Sequence, residues 1–176
     1  MKYWIFFIVL SLTIGFGNEW AKLNVNFFFD LTQQEHWFQY SDAEKSMVFQ
    51  RQVDLLNEAY YFQIVRWEFL SNWSNKQWSV LKWMIPITTT TIFFVLEIIF
   101  LPKLFSKMKI QRSHVGYYYG MILLLVGFFF LLFKFSAFQE FLTISRKLWV
   151  LLQGPSLFII LWIYQLINQN ERVRHQ

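Results

Sequence analysis

The sequence predicts an all-α integral membrane protein with four transmembrane helices, the first one short, and a small helical extracytoplasmic segment between helices 1 and 2. Three observations carry this. Residues 83–101, 115–133 and 148–167 are apolar stretches, each close to the ~20 residues a helix needs to cross the ~30 Å hydrocarbon core of a bilayer. The composition is 56% hydrophobic and 22% aromatic, with 22 Phe, 9 Trp and 8 Tyr among 176 residues, beyond the usage of soluble domains. The basic residues mostly flank the apolar spans rather than forming a separate patch. A backbone in lipid must satisfy its own hydrogen bonds, so spans of this length are helices.

Length permits one domain. The absence of Cys excludes disulfide frameworks, thiolate metal sites and cysteine nucleophiles in one step. A net charge of +5 is read as membrane anchoring, with the lipid bilayer as partner and no nucleic acid. Residues with AT-rich codons far outnumber Gly, Ala, Arg and Pro, and nine Trp under such a bias suit an organelle that also reads UGA as Trp. Thirteen Gln against eight Asn favours a bacterial inner membrane over a mitochondrial one.

Residues 1–17 contain a 15-residue apolar run after Lys2, short for a span and long enough for a signal-peptide core. The reading adopted is an uncleaved first span or signal anchor, with Trp4 and Trp20 at the interfaces. Residues 18–79 are the one substantial polar segment, with eight acids against five bases. Thr32-Gln33-Gln34-Glu35 and Ser41-Asp42-Ala43-Glu44 both match the capping box that starts a helix, predicting a short helix at 33–39 and a long one over 42–71.

On the long helix Phe49, Val53, Leu56, Tyr60, Ile64 and Trp67 recur at spacings of three and four, one packing face. Val48, Leu55, Ala59 and Phe62 form a second apolar group, and are the candidates for facing a partner. The internal alternative is that the short helix and the Phe27-Phe28-Phe29 run cover this helix.

The second span is read as 80–101, with Trp73 and Trp78 before it and Pro102 ending it. Residues 102–114 hold Lys103, Lys107, Lys109 and Arg112 with no acid, so this is the inner loop by the positive-inside rule. Residues 115–133 form the third span, 134–147 an outer loop, 148–167 the fourth span and 168–176 an inner tail. Both termini then lie on the inner side. One span, an external segment and three further spans resemble, in topology alone, the permease halves of exporters that work with a separate ATPase; no site residue follows from that.

Glu97 is the one charge well inside a span and is the candidate for a proton or ion relay, with Thr88–Thr91 as a polar path in the same helix. Pairing with Lys103 or Lys107 is its bland alternative. Gly116, Gly120 and Gly127 mark a helix-packing face, and Pro155 predicts a kink in the fourth span. His36, His114 and His175 are divided by the membrane, so no metal site is predicted, and no nucleotide, zinc or calcium motif is present. No catalytic residue and no cofactor is assigned. The expected role is a non-catalytic accessory, assembly or scaffold subunit among other integral membrane subunits. The alternatives are a small transporter or channel component using Glu97 and Thr88–Thr91, and a membrane enzyme acting on lipid or quinone through Glu97, Arg112 and His114.

Overall fold

The computed structural model describes residues 2–34, 36–59, 67–136 and 138–174, with Lys2, 56–59, Glu68, Lys107 and 168–174 described by backbone alone. All regular structure among them is helical: α1 (Lys2–Thr32), α2 (Asp42–Ala59), α3 (Asn75–Leu104), α4 (Arg112–Ser136), α5 (Gln139–Leu151) and α6 (Ser156–Arg174), with short 3₁₀ turns at Trp37–Gln39, Glu68–Leu70 and Ser106–Met108. By length and hydropathy α1, α3 and α4 each suffice to cross a membrane, and the bent pair α5–α6 supplies a fourth candidate if counted as one span. The chain is therefore a multi-pass membrane protein.

Several boundaries differ from the sequence reading. The first helix does not end near Gly17 but continues to Thr32. Its polar residues are tolerated because their side chains bond within the helix: Asn24 Nδ2 donates to the Trp20 carbonyl at 2.9 Å, and Lys22 Nζ pairs with Glu19 at 3.0 Å. Thr32 therefore closes a helix instead of opening one. Its hydroxyl donates to the Phe28 carbonyl at 2.8 Å, the back-bonding open to Thr at a helix end, and the predicted helix at 33–39 is reduced to the 3₁₀ turn Trp37–Gln39. The predicted helix over 42–71 is helical to Ala59; Tyr60, Phe62 and Ile64 lie outside the described residues, and Glu68–Leu70 is a 3₁₀ turn.

The second helix is longer at both ends than 80–101. Its start is set by a capping box the sequence contains: the backbone N–H and hydroxyl of Ser74 donate to Gln77 Oε1 at 2.8 and 2.9 Å, and Gln77 N–H returns to the Ser74 hydroxyl at 3.4 Å. Pro102 does not stop it. Proline removes only its own N–H, and Phe105 N–H still reaches the Leu101 carbonyl at 2.9 Å. The predicted outer loop at 134–147 is mostly helix, since α5 begins at Gln139.

The chain forms two compact units, one of residues 1–15 and 88–176 and one of residues 16–87. The second is built on aromatic rings. Val25, Phe28, Leu31, Trp37 and Trp78 are buried at its centre, with Val48, Phe49, Val53 and Trp67 packed around them. Phe28 stacks on Trp78 with ring centres 4.9 Å apart and on Phe49 at 5.9 Å; Trp67 and Trp73 lie against the same Trp78 at 6.4 and 5.3 Å. The helical spacing of Phe49 and Val53 and the Phe27-Phe28-Phe29 run thus meet each other. Val48, a candidate for facing a partner, packs on this internal cluster. Leu55 is exposed beside a shallow cleft lined with Leu23, Asn26, Asp30 and Gln52; the Ala59 side chain and Phe62 lie outside the described residues.

Two outcomes follow. Trp78 is fully buried, so Trp78→Ala is expected to destabilise this unit by about 3–5 kcal/mol, read from thermal unfolding of the detergent-solubilised chain. At the start of α2 the Ser41 N–H and hydroxyl both donate to Glu44 Oε2 at 2.8 Å, which holds the Glu44 carboxyl below its ordinary range. The stabilisation is present above the unfolded-state pKa and is lost as pH falls through the lower folded value. Ser41→Ala should raise the Glu44 pKa, as a carboxyl NMR titration would report.

Candidate functional site at a broken helix

Within the unit of residues 1–15 and 88–176, the fourth apolar run bends sharply at the turn that holds Pro155. Leu148–Leu151 finish α5, a four-residue turn follows, and α6 starts at Ser156 with its axis at 74° to that of α5. The local chemistry accounts for the break. Pro155 has no N–H to continue α5 and clashes with the carbonyl one turn earlier. The last α5 carbonyls are taken by tighter bonds, Leu152 N–H to Trp149 at 3.1 Å and Gln153 N–H to Val150 at 3.0 Å. The ladder of α6 resumes with Ile159 N–H on the Pro155 carbonyl at 3.0 Å.

A new helix start exposes N–H groups that have no partner in their own helix. At membrane depth water cannot take them, and each unsatisfied group costs several kcal/mol. Glu97 takes them. The spacing Thr90, Phe93, Glu97, Leu101 puts these four on the buried face of α3, and Glu97 Oε1 accepts the Phe158 N–H at 3.1 Å. An acid at a helix N-terminus is also favoured by the helix dipole.

The surroundings close this contact off. Phe158 packs against Phe7 with ring centres 4.7 Å apart, against Trp4 at 5.4 Å and against Phe105 at 5.9 Å. Leu101, Val115, Tyr119, Ile122 and Leu152 complete the cluster. On α4, Tyr118 bonds the Ser156 hydroxyl at 2.8 Å, tying the first residue of α6 to that helix. The Tyr119 hydroxyl faces the Glu97 carboxylate without reaching full hydrogen-bond geometry.

The residues singled out by sequence divide accordingly. Glu97 is fully buried and is not paired with Lys103, whose ammonium lies over the Tyr3 ring at 5.6 Å. Thr89 and Thr90 are buried while Thr88 and Thr91 are exposed, so the run does not line one face. An added Cβ at Gly116, Gly120 or Gly127 would meet nothing within 4 Å; no helix of the described residues uses this stripe. His114 is exposed and its Nδ1 accepts the Gln111 N–H at 3.1 Å, capping α4. Among the described residues no bond joins His114 or Arg112 to Glu97, and no group of three or more acids or histidines is placed to hold a metal.

Sequence reasoning missed α5. This helix runs antiparallel to α4 and packs closely along it, with Phe141 facing Phe129 at 6.3 Å and the Ser145 hydroxyl donating to the Val126 carbonyl at 3.0 Å. The signal was present, since Phe141, Leu142, Ser145, Leu148 and Trp149 recur at helical spacing and make up its less exposed side. The position of 134–147 between two apolar runs had marked the segment as a loop.

The cap predicts a graded response. Glu97→Gln keeps an oxygen acceptor and should lower the unfolding midpoint only slightly. Glu97→Leu strands the Phe158 N–H and should cost about 1–3 kcal/mol, measured by thermal unfolding in one detergent. A Leu variant as stable as the parent chain contradicts the cap.

Comparison with protein-family models, with curated proteins and with solved structures found no match.

Proposed function

We propose that this chain is a non-catalytic integral membrane subunit with an accessory, assembly or scaffold role in a larger membrane protein complex. The observation that carries the reading is the use made of Glu97. The one acid at membrane depth is enclosed by aromatic side chains and accepts a backbone N–H of α6, so its chemistry is spent on holding a fold. A chain of this design presents shaped helical surfaces, and a surface is the part of it that can act.

A second reading, a small transporter or channel component in the same membrane, draws on one specific observation. Broken helices whose N-termini face a buried polar group are a feature of transporter sites, and Glu97 Oε2, the Tyr119 hydroxyl and the Thr90 hydroxyl have no hydrogen-bond partner of full geometry.

One experiment separates the two. The chain is extracted from its native membrane in a mild detergent and weighed by native mass spectrometry, and the same chain is reconstituted alone into vesicles loaded with a proton-sensitive dye. The subunit reading expects a stable heteromeric mass and no flux. A monomer with no partner after gentle crosslinking overturns it, and a proton flux abolished by Glu97→Gln selects the second reading.

A further inference from the structure

The antiparallel contacts of α4 and α5 set the depth of every residue on α5. Phe141 lies level with Phe129 and Ser145 with Val126. Arg146 and Lys147, next along from Ser145, are therefore level with Leu124 and Leu125. The apolar run of α4 is bounded by Arg112 and Lys134, and at about 1.5 Å per residue these charges are ~33 Å apart, the thickness of a bilayer core. Leu124 and Leu125 sit at its middle. Arg146 and Lys147 are thus held near the midplane of the span that α4 makes, two cations where charged side chains are rare and paired.

Neither has an ion-pair partner among the described residues. Both are exposed. They lie on the side of α5 turned away from α4, with Thr143, Ile144, Val150 and Leu151 around them, Val150 being 59% exposed. Snorkelling carries a Lys or Arg headgroup only part of the way from the midplane to the phosphate layer. This face therefore lacks an anion at its own depth. Of the acids described in the same unit, Glu97 is buried and engaged and Glu140 lies near the Lys134 end of the hairpin.

We infer that the exposed face of α5 docks a transmembrane helix of a different subunit, one that carries Asp or Glu at mid-bilayer depth opposite Arg146 and Lys147. The argument is charge complementarity at a fixed depth. It rests on the chain being a complex subunit and names the chemistry of the contact: a desolvated ion pair between helices, ringed by apolar side chains on both.

The test uses the full chain in its native membrane, with a photo-crosslinking amino acid at Val150 and at Phe135 on the exposed C-terminal end of α4 as control. The Val150 probe is expected to give an adduct whose crosslinked peptide maps to an apolar helix containing an acid. Arg146→Leu with Lys147→Leu should reduce that adduct at least tenfold; the exchange Arg146→Lys with Lys147→Arg should retain it. Converting the mapped acid to Lys should abolish it, and Arg146→Glu with Lys147→Glu should restore it. The double Leu variant removes charge from a lipid-facing surface, and its unfolding midpoint in detergent checks that the fold persists. The inference is overturned if the Leu variant keeps the adduct, if the mapped segment has no acid, or if the adduct is lipid or a second copy of this chain. A heteromeric native mass that survives the double Leu variant sinks this contact and leaves the subunit reading standing, whereas a parent chain with no heteromeric mass sinks both.

Discussion

The bond from the Phe158 N–H to the Glu97 carboxylate answers a constraint that the bilayer imposes and that the rest of its unit depends on. A helix interrupted at membrane depth presents backbone donors to a medium with nothing to accept them. Interhelical packing in lipid gains little from burying apolar surface, because the alternative surroundings are equally apolar. Placing an acid from α3 at the start of α6 therefore gives this arrangement a directional contact that apolar packing alone does not supply. Burial of the carboxyl costs several kcal/mol, and its bond to the Phe158 N–H and the helix dipole act against that cost. Once α6 is anchored there, Phe158 has its place among Trp4, Phe7 and Phe105, and Tyr118 can reach Ser156.

The other unit is held by different physics. Its centre is a stack of rings contributed by α1, α2 and the start of α3, and its polar work is done at helix ends. The capping boxes at Ser41 and Ser74 satisfy the first donors of α2 and α3 through side chains three residues on. Both are local devices, legible once the pattern is sought. The stack is a tertiary result, since Phe28, Phe49 and Trp78 come from three helices and no spacing in the sequence joins them.

Arg146 and Lys147 show how the same residues change meaning with their neighbours. In a linear reading the two adjacent bases fall in the outer loop between the third and fourth spans. In the hairpin of α4 and α5 they stand beside the middle of a membrane-length helix, exposed and unpaired among the described residues. Charge inside a bilayer is costly, about 2.5–3.5 kcal/mol for each such residue by insertion scales, and it is this cost that gives the two bases their weight.

By itself the sequence determined the membrane character, the helical class, the positions of the apolar runs and the isolation of Glu97 as the acid within them, because these depend on composition and on period along the chain. It also held the reason for the break, Gly154-Pro155. Only the tertiary structure decided what the break becomes. Whether a proline kinks a span or divides it depends on whether another helix can accept the donors it frees, and that acceptor lies 61 positions away on α3. The role of Glu97 as a cap, the open stripe of Gly116, Gly120 and Gly127, and the depth of Arg146 and Lys147 share this origin. Each is a relation between helices, and relations between helices are set by packing that no single stretch of chain encodes.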